Sequence, residues 1–129
     1  MNPLLEDLQG QPDSLRAVLA HQSGAGRDAL RRAAAELRHA RQVIFAGMGS
    51  SLFASLPAVA LLNARGRRAS AVEASELLYY RESTLARDTA VVLVSRSGNT
   101  VEVVKLIPLL RARGAHIIGV TNVVPGAGE

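Results

Sequence analysis

Two short segments of this 129-residue chain concentrate glycine and hydroxyl side chains, which suit the binding of an anion. The first segment reads GMGSS at residues 47–51, and the second reads SRSGNT at residues 95–100. Gly49 and Gly98 allow the backbone to approach a ligand without a Cβ clash. The hydroxyl groups of the second segment add hydrogen-bond donors at the same place. This combination indicates a phosphate group as ligand.

Each polar segment follows an apolar run typical of a buried strand and precedes a helical pattern. Strands are predicted around QVIFAG, Ala69–Glu73, TAVVLVS and AHIIGVTN, with helical sequences between them. Such alternation predicts βαβ units and a parallel sheet that is covered on both faces. The expected fold class is therefore α/β. We predict a three-layer αβα sandwich with a mostly parallel, doubly wound sheet of flavodoxin-like order 2-1-3-4.

This strand order makes the first and third strands neighbours, so the two polar segments are expected to face each other. Ligands of doubly wound sheets bind beyond the carboxyl ends of the strands. Each segment also leads into a helix N-terminus, where free amides and the helix dipole favour an anion. One such loop would be explained by serine and threonine capping a helix. Two loops on adjacent strands favour a phosphate monoester.

Other ligand motifs and catalytic arrangements fit the sequence less well. A dinucleotide fingerprint would need glycine where Leu52 stands, and no GxxxxGK[ST] P-loop occurs. A serine nucleophile at position 50 or 51 would need a positioned histidine, and His116 is expected at the opposite end of the sheet. His21 and His39 have no partner at metal-ligand spacing. We therefore predict no metal site and no cofactor, and we assign no catalytic residue.

Residues 1–41 are expected to form helices that pack on an α/β domain of residues 42–129. Leucine and valine recur at helical spacing in PLLEDLQ and PDSLRAVLAHQ, and Pro12 suits the opening of the second run. Gly24 and Gly26 separate this run from a further helix in RDALRRAAAELRHARQ. After the first polar segment, SLFASLPAVALLNARG is expected to form one helix.

The composition is that of one globular domain, with 48% hydrophobic and 20% charged residues. A net charge of +4 and a pI near 10.6 raise nucleic acid as a partner. However, the basic residues are scattered among acidic ones, and the only aromatics are two Tyr and two Phe. We therefore predict no nucleic-acid partner. The sequence has no cysteine, no signal peptide and no long apolar run, which predicts a cytoplasmic protein without a membrane partner.

Several segments, in the same order, resemble the sugar isomerase (SIS) domain family. The similarity is strongest to the isomerase domains of glucosamine-6-phosphate synthases and to related ketose/aldose phosphosugar isomerases. QPDSLRAVL resembles the opening helix of the family, AGMGSSLFAS its first glycine-serine loop, and AVEASELLYY its acidic ASE segment. SRSGNT resembles the Ser-x-Ser-Gly-x-Thr loop, and TNVVPGAGE is similar to a CNVPGS stretch. The resemblance therefore covers most of the chain.

The resemblance implies that Ser50 and Ser51 lie near the sugar and its phosphate, and that the hydroxyl groups of SRSGNT hold the phosphate. The predicted binding residues are the glycine, hydroxyl and amide residues of the two loops: Gly49, Ser50, Ser51, Ser95, Ser97, Gly98, Asn99 and Thr100. Arg96 either contacts the phosphate or, as we favour, projects into solvent. Glu76 either orients the site or an oligomer contact, or serves as a surface or helix-capping carboxylate.

The resemblance implies a phosphosugar-binding domain of an aldose/ketose phosphate isomerase. The expected ligand is a phosphorylated sugar such as fructose 6-phosphate, or a glucosamine or galactosamine 6-phosphate. The second SIS domain, catalytic glutamate and tail lysine of the family have no counterpart, so we interpret the chain as truncated and leave catalysis open. The alternatives are a non-catalytic or regulatory sugar-phosphate-binding module and a scaffold with an empty site. An apolar sheet edge left by the missing part predicts a homo-oligomer, most simply a dimer.

Overall fold

A computed structural model describes residues 2–123 of the chain. In chain order its elements are α1 (Pro3–Ser23), α2 (Arg27–His39), β1 (Gln42–Gly47), α3 (Ser50–Phe53), α4 (Leu56–Ala64), β2 (Ala69–Glu73), α5 (Ala74–Tyr79), a 3-10 turn (Glu82–Thr84), β3 (Thr89–Val94), α6 (Val101–Ala112) and β4 (His116–Val120). The chain divides into two compact units between Ala35 and Glu36. The packing of residues 1–41 on the α/β domain stays a prediction. Within residues 2–123, every helix is too short or too polar to cross a lipid bilayer.

The four strands form one parallel sheet in the order β2-β1-β3-β4. Gln42 of β1 lies opposite Thr89 of β3, and Gly47 lies opposite Val94, so these two strands pair along their full length. The runs VIFA and AVVLV contain no polar residue, which a strand covered on both faces requires. The predicted α/β fold class and the strand order 2-1-3-4 are confirmed.

Apolar clusters lie on both faces of the sheet, because successive strand side chains point to opposite sides. On one face, Ile44 and Leu93 pack with Leu77 of α5 and with Leu106 and Leu110 of α6. Complete burial of each leucine side chain contributes about 1.5–3 kcal/mol. On the other face, alternate residues of β1 and β3 pack against α4 and the end of α2. These two layers of helices hold the strand ends in fixed positions.

Helix α1 runs without interruption over Pro3–Ser23, so the prediction that Pro12 opens a second helix is wrong. An interior proline removes one backbone hydrogen bond, while most of the remaining bonds of this long helix can persist. Two side-chain contacts lie in the turns around the proline. Ser14 donates to a backbone carbonyl one turn earlier, and Arg16 forms an ion pair with Asp13 at 2.7 Å.

The single helix predicted after the first polar segment is also wrong, because it divides into α3 and α4. Ala54 ends α3, and Ser55 precedes α4. Pro57 lies in the first turn of α4, where its missing N–H costs no helical hydrogen bond. The Ser55 hydroxyl donates to the Ser51 carbonyl at 3.3 Å across the break. Because of this break, the serines of the first polar segment lie in the short helix α3, close to the end of β1.

Candidate functional site

The carboxyl ends of β1, β3 and β4 lie side by side, which places the loops that follow them at one edge of the sheet. Gly47 lies opposite Val94, which in turn lies opposite Val120. A cleft of about 280 Å³ opens between these loops. Residues of the three loops and their strands line it: Ser50, Ser51, Ala54, Val94, Ser95, Arg96, Val120, Thr121 and Asn122. The two polar segments therefore meet at this cleft.

Gly47, the last residue of β1, allows the first loop to lie close to β3. A Cβ atom at this position would lie 2.9 Å from the carbonyl oxygen of Val94 and 3.3 Å from the amide nitrogen of Leu52. Both are backbone atoms, which cannot move away as a flexible side chain would. Gly49 has a φ of 55°, in the left-handed region that favours glycine. The glycines of GMGSS thus have steric roles, and its serines supply polar atoms to the cleft.

The hydroxyl groups of SRSGNT form hydrogen bonds within their own loop. Ser95 is only 5% exposed, and its Oγ lies 2.8 Å from Thr100 Oγ1. The same Ser95 Oγ accepts a hydrogen bond from the Gly98 amide at 3.0 Å, and Ser97 Oγ accepts one from the Asn99 amide at 3.1 Å. These bonds close a compact turn. Ser95 therefore shapes the loop as well as lining the cleft.

Helix α6 begins directly after this loop, at Val101. Its first amides have no partner within the helix, as in every α-helix. Thr100 at the N-cap forms no side-chain bond to these amides, and its hydroxyl lies instead against Ser95. The helix has 12 residues, so its dipole adds a partial positive charge at this end. The loop therefore leaves backbone donors uncapped beside the cleft.

Two residues after β4 contribute to the cleft and were not predicted as site residues, namely Thr121 and Asn122. Thr121 Oγ1 donates to the Arg96 carbonyl at 3.3 Å, and the Asn122 amide donates to the same oxygen at 3.3 Å. Gly98 lies beside Thr121 and has a φ of 73°, in the left-handed region that favours glycine. The signal was present, because TN directly follows the strand HIIGV just as the other polar segments follow theirs.

The predicted site residues fall into two groups. Ser50, Ser51 and Ser95 line the cleft, and so does the exposed Arg96, whose charge is available to an anion there. The other predicted binding residues belong to the surrounding loops and are not among its lining residues: Gly49, Ser97, Gly98, Asn99 and Thr100. Glu76 is exposed on α5 and also lies outside the lining.

The lining residues include one cation and, within the described part of the chain, no carboxylate or imidazole. Glu73 ends β2 and Glu102 lies in the first turn of α6, both outside the lining. His116 begins β4 at the opposite edge, as predicted, and its Nδ1 lies 2.8 Å from the Glu36 carboxylate. Residues 2–123 also contain no cluster of three His, Cys, Asp or Glu residues suited to hold a metal ion.

Residues 36–123 form an α/β domain with a parallel sheet and a cleft at the carboxyl ends of its strands, which is where doubly wound sheets bind their ligands. The hydroxyl groups and the one arginine of the lining are donors of the kind that suit a phosphate or a similar small oxyanion.

The family model of the SIS domain matches residues 36–127. The glutamine–fructose-6-phosphate aminotransferase (isomerizing) of Aeropyrum pernix is 36% identical over 126 residues, which are 96% of this chain and 20% of that protein. The tagatose-6-phosphate ketose/aldose isomerase of Escherichia coli has a TM-score of 0.78 at 25% identity, over 95% of this chain and 35% of that chain. The sugar isomerase domain of an RpiR transcription factor from Sphaerobacter thermophilus has the same fold, with a TM-score of 0.78 at 18% identity over 95% of this chain and 68% of that chain.

The chain belongs to the SIS domain family. It is related to the isomerase part of glutamine–fructose-6-phosphate aminotransferases and to phosphosugar isomerases, as the loop sequences predicted. The chain spans about a fifth of the length of the curated relatives that it matches. Most of the segment TNVVPGAGE, which also resembles the family, lies outside the described residues, because the description ends at residue 123.

Proposed function

We propose that this chain is the phosphosugar-binding domain of an aldose/ketose sugar-phosphate isomerase. The observation that supports this most directly is that Ser50 and Ser51 of the first loop and Ser95 and Arg96 of the second loop line the same cleft. The names of the relatives support the same kind of ligand, because each name contains a hexose 6-phosphate. They are isomerizing glutamine–fructose-6-phosphate aminotransferases and a tagatose-6-phosphate ketose/aldose isomerase. The proposed ligand is a hexose phosphate such as fructose 6-phosphate, or glucosamine or galactosamine 6-phosphate.

In the proposed complex the sugar occupies the cleft beside the first loop. The phosphate extends past Arg96 toward Ser97 and the start of α6, which adjoin the cleft but lie outside its lining. Ser97 and the uncapped amides donate to phosphate oxygens, and Arg96 adds a positive charge. Ser50 and Ser51 donate to the sugar or to its phosphate. Three or four hydrogen bonds to an ionised group contribute about 5–10 kcal/mol before the entropy of binding is subtracted. A Kd between about 1 µM and 1 mM is therefore expected.

Isothermal titration calorimetry with fructose 6-phosphate tests this proposal. We expect Ser51→Ala and Ser97→Ala each to weaken binding about ten-fold, because each removes one donor to a charged ligand. Ser83→Ala is the matched control, since this exposed serine lies in the 3-10 turn outside the cleft. Fructose without phosphate should not bind measurably. Equal affinity of all three variants for fructose 6-phosphate would contradict the proposed site.

A second candidate function is a module that senses a sugar phosphate without converting it. The absence of a carboxylate or imidazole from the lining by described residues favours this candidate, since isomerisation needs an acid and a base. The same fold also occurs in the sugar isomerase domain of a transcription factor, so the fold alone does not decide. Exchange of a carbon-bound proton of fructose 6-phosphate in deuterated water, followed by NMR, separates the two. Binding without exchange supports the sensor, and exchange above background supports the enzyme.

The proposed ligand class also bears on where the chain works and in what form. We expect a cytoplasmic location, where a hexose phosphate would be met, and a homodimer as the functional form. Within residues 2–123, β4 pairs only with β3, so its outer edge offers unpaired backbone groups to a second chain. The expected location rests on the ligand proposal, whereas the expected dimer rests on the open side of β4 and is independent of it.

A further inference from the structure

A second cleft lies at the opposite, amino edge of the sheet, outside the proposed sugar-phosphate site. Its volume is about 510 Å³, and the residues that line it come from the segments that enter β1, β2 and β3. Arg41 precedes β1, Arg67 and Arg68 precede β2, and Asp88 precedes β3. Three segments distant in sequence therefore converge on one concave surface.

The cleft carries a positive charge that acidic side chains do not neutralise. Its lining holds three guanidinium groups and one carboxylate, that of Asp88. Among residues 2–123, no salt bridge within 4.0 Å joins Arg41, Arg67 or Arg68 to an acidic side chain. Three like charges at one concave surface repel each other, and an anion with several negative charges would relieve that repulsion.

One of the three arginines is held in place by the fold. Arg67 is half-buried, and its Nη2 donates to the carbonyl oxygens of Leu37 and Ala40 at the end of α2. An arginine has five N–H donors, so two are used and the Nε and Nη1 donors remain for a ligand. Pre-ordering of a donor lowers the entropic cost of binding. Arg67 therefore acts as the fixed member of the cluster.

The base of the cleft is also ordered by hydrogen bonds. The Gln42 amide donates to the Thr89 hydroxyl at 2.8 Å and to the Thr84 carbonyl at 3.0 Å. Thr89 is completely buried, and the Arg41 amide donates to the Asp88 carbonyl at 2.8 Å. These bonds join the segments before β1 and β3. The Val43 backbone amide also donates to the Arg68 carbonyl at 2.9 Å, which joins the segment before β2 to β1.

We propose that this amino-edge cleft binds a compact anion that carries two or more adjacent phosphate groups, as in inorganic pyrophosphate. The guanidinium groups match phosphate oxygens in geometry and charge. A single phosphate would engage only part of the cluster. Among residues 2–123, no aromatic side chain lines the cleft to stack on a nucleobase. A concave surface of this size, rather than an extended basic stripe, favours a small molecule over nucleic acid.

The test is titration of the full chain with inorganic pyrophosphate and, separately, with orthophosphate at low ionic strength. We expect pyrophosphate to bind at least about ten-fold more tightly than orthophosphate. The double variant Arg41→Gln/Arg68→Gln should weaken pyrophosphate binding by at least about ten-fold, because it removes two ionic donors. Arg67 is left intact, since its bonds to the α2 carbonyls contribute to folding.

Two controls make the outcome decisive. Arg31→Gln/Arg32→Gln removes the same charge from exposed positions of α2 and should leave pyrophosphate binding within about two-fold. Ser51→Ala/Ser97→Ala weakens the carboxyl-edge site, where a phosphate group is also proposed to bind, and should leave the tighter binding of pyrophosphate at the amino edge unchanged. Any of four results would overturn the proposal: no binding of pyrophosphate, equal affinity for orthophosphate, equal loss in the Arg31/Arg32 control, or loss only in the serine variant. Thermal melting of each variant by circular dichroism confirms that it is folded.

Discussion

Replacement of Gly47 by alanine tests whether the carboxyl-edge cleft depends on the close approach of β1 and β3. The new Cβ would lie 2.9 Å from the Val94 carbonyl oxygen, inside the 3.4 Å at which ordinary van der Waals contact begins. It would also lie 3.3 Å from the Leu52 amide. Relief requires β1, β3 or α3 to shift, and overpacking of this kind costs about 1–3 kcal/mol.

Gly119→Ala is the matched control for this experiment. Gly119 is also a strand glycine near the carboxyl edge, opposite Leu93 of β3, but a Cβ there meets nothing within 4 Å. Alanine at a compatible position lowers the entropy of the unfolded chain and stabilises by about 0.4–1 kcal/mol. We therefore expect Gly47→Ala to be about 1–3 kcal/mol less stable than Gly119→Ala.

Urea denaturation followed by circular dichroism measures this difference, provided that the two variants unfold with similar m-values. The shift of the loops should also weaken binding of fructose 6-phosphate, which calorimetry measures at a temperature where both variants are folded. Gly119→Ala should bind like the parent chain. If Gly47→Ala is as stable as Gly119→Ala and binds equally well, the strand spacing does not govern the cleft and our reasoning is wrong.

Three further predictions concern other parts of the chain. Ser95→Ala removes the bonds of the hydroxyl to Gly98 and Thr100 and should lower the free energy of unfolding by about 1–3 kcal/mol. Urea denaturation measures this loss, and an unchanged urea midpoint would show that these bonds do not support the loop. Arg96→Gln should leave the free energy of unfolding within about 0.5 kcal/mol of the parent but weaken the binding of fructose 6-phosphate. The affinity of the variant should also depend less on salt concentration than that of the parent. An unchanged salt dependence would place this exposed charge outside the site. Light scattering should show a dimer through the open edge of β4, and a monomer at high concentration would contradict this expectation.

The sequence was sufficient to predict the sheet because its strands are buried on both faces. Uninterrupted apolar runs such as VIFA and AVVLV are typical of parallel strands that are covered on both faces. Both runs form strands where they were predicted. The meeting of the two polar loops then follows from the strand order. The sequence therefore predicted correctly that the two polar loops meet, and residues of both line the cleft.

Local helix geometry was harder to predict, because proline has opposite effects at different positions. Pro12 was expected to open a helix but lies inside α1, where neighbouring turns tolerate the loss of one bond. Pro57 was expected inside a helix but lies in the first turn of α4. Side-chain partners within a loop were also beyond prediction. The Ser95–Thr100 contact depends on the turn at Gly98, whose φ of 73° no periodicity reveals.

The length of β1 determines how the two edges of the sheet influence each other. The strand has six residues, which corresponds to about 20 Å from one end to the other. The Debye length at physiological salt is about 8 Å, so charges at opposite ends of the strand are largely screened from one another. The two proposed ligands would therefore repel each other little if both were bound, so binding of one should leave the affinity for the other nearly unchanged.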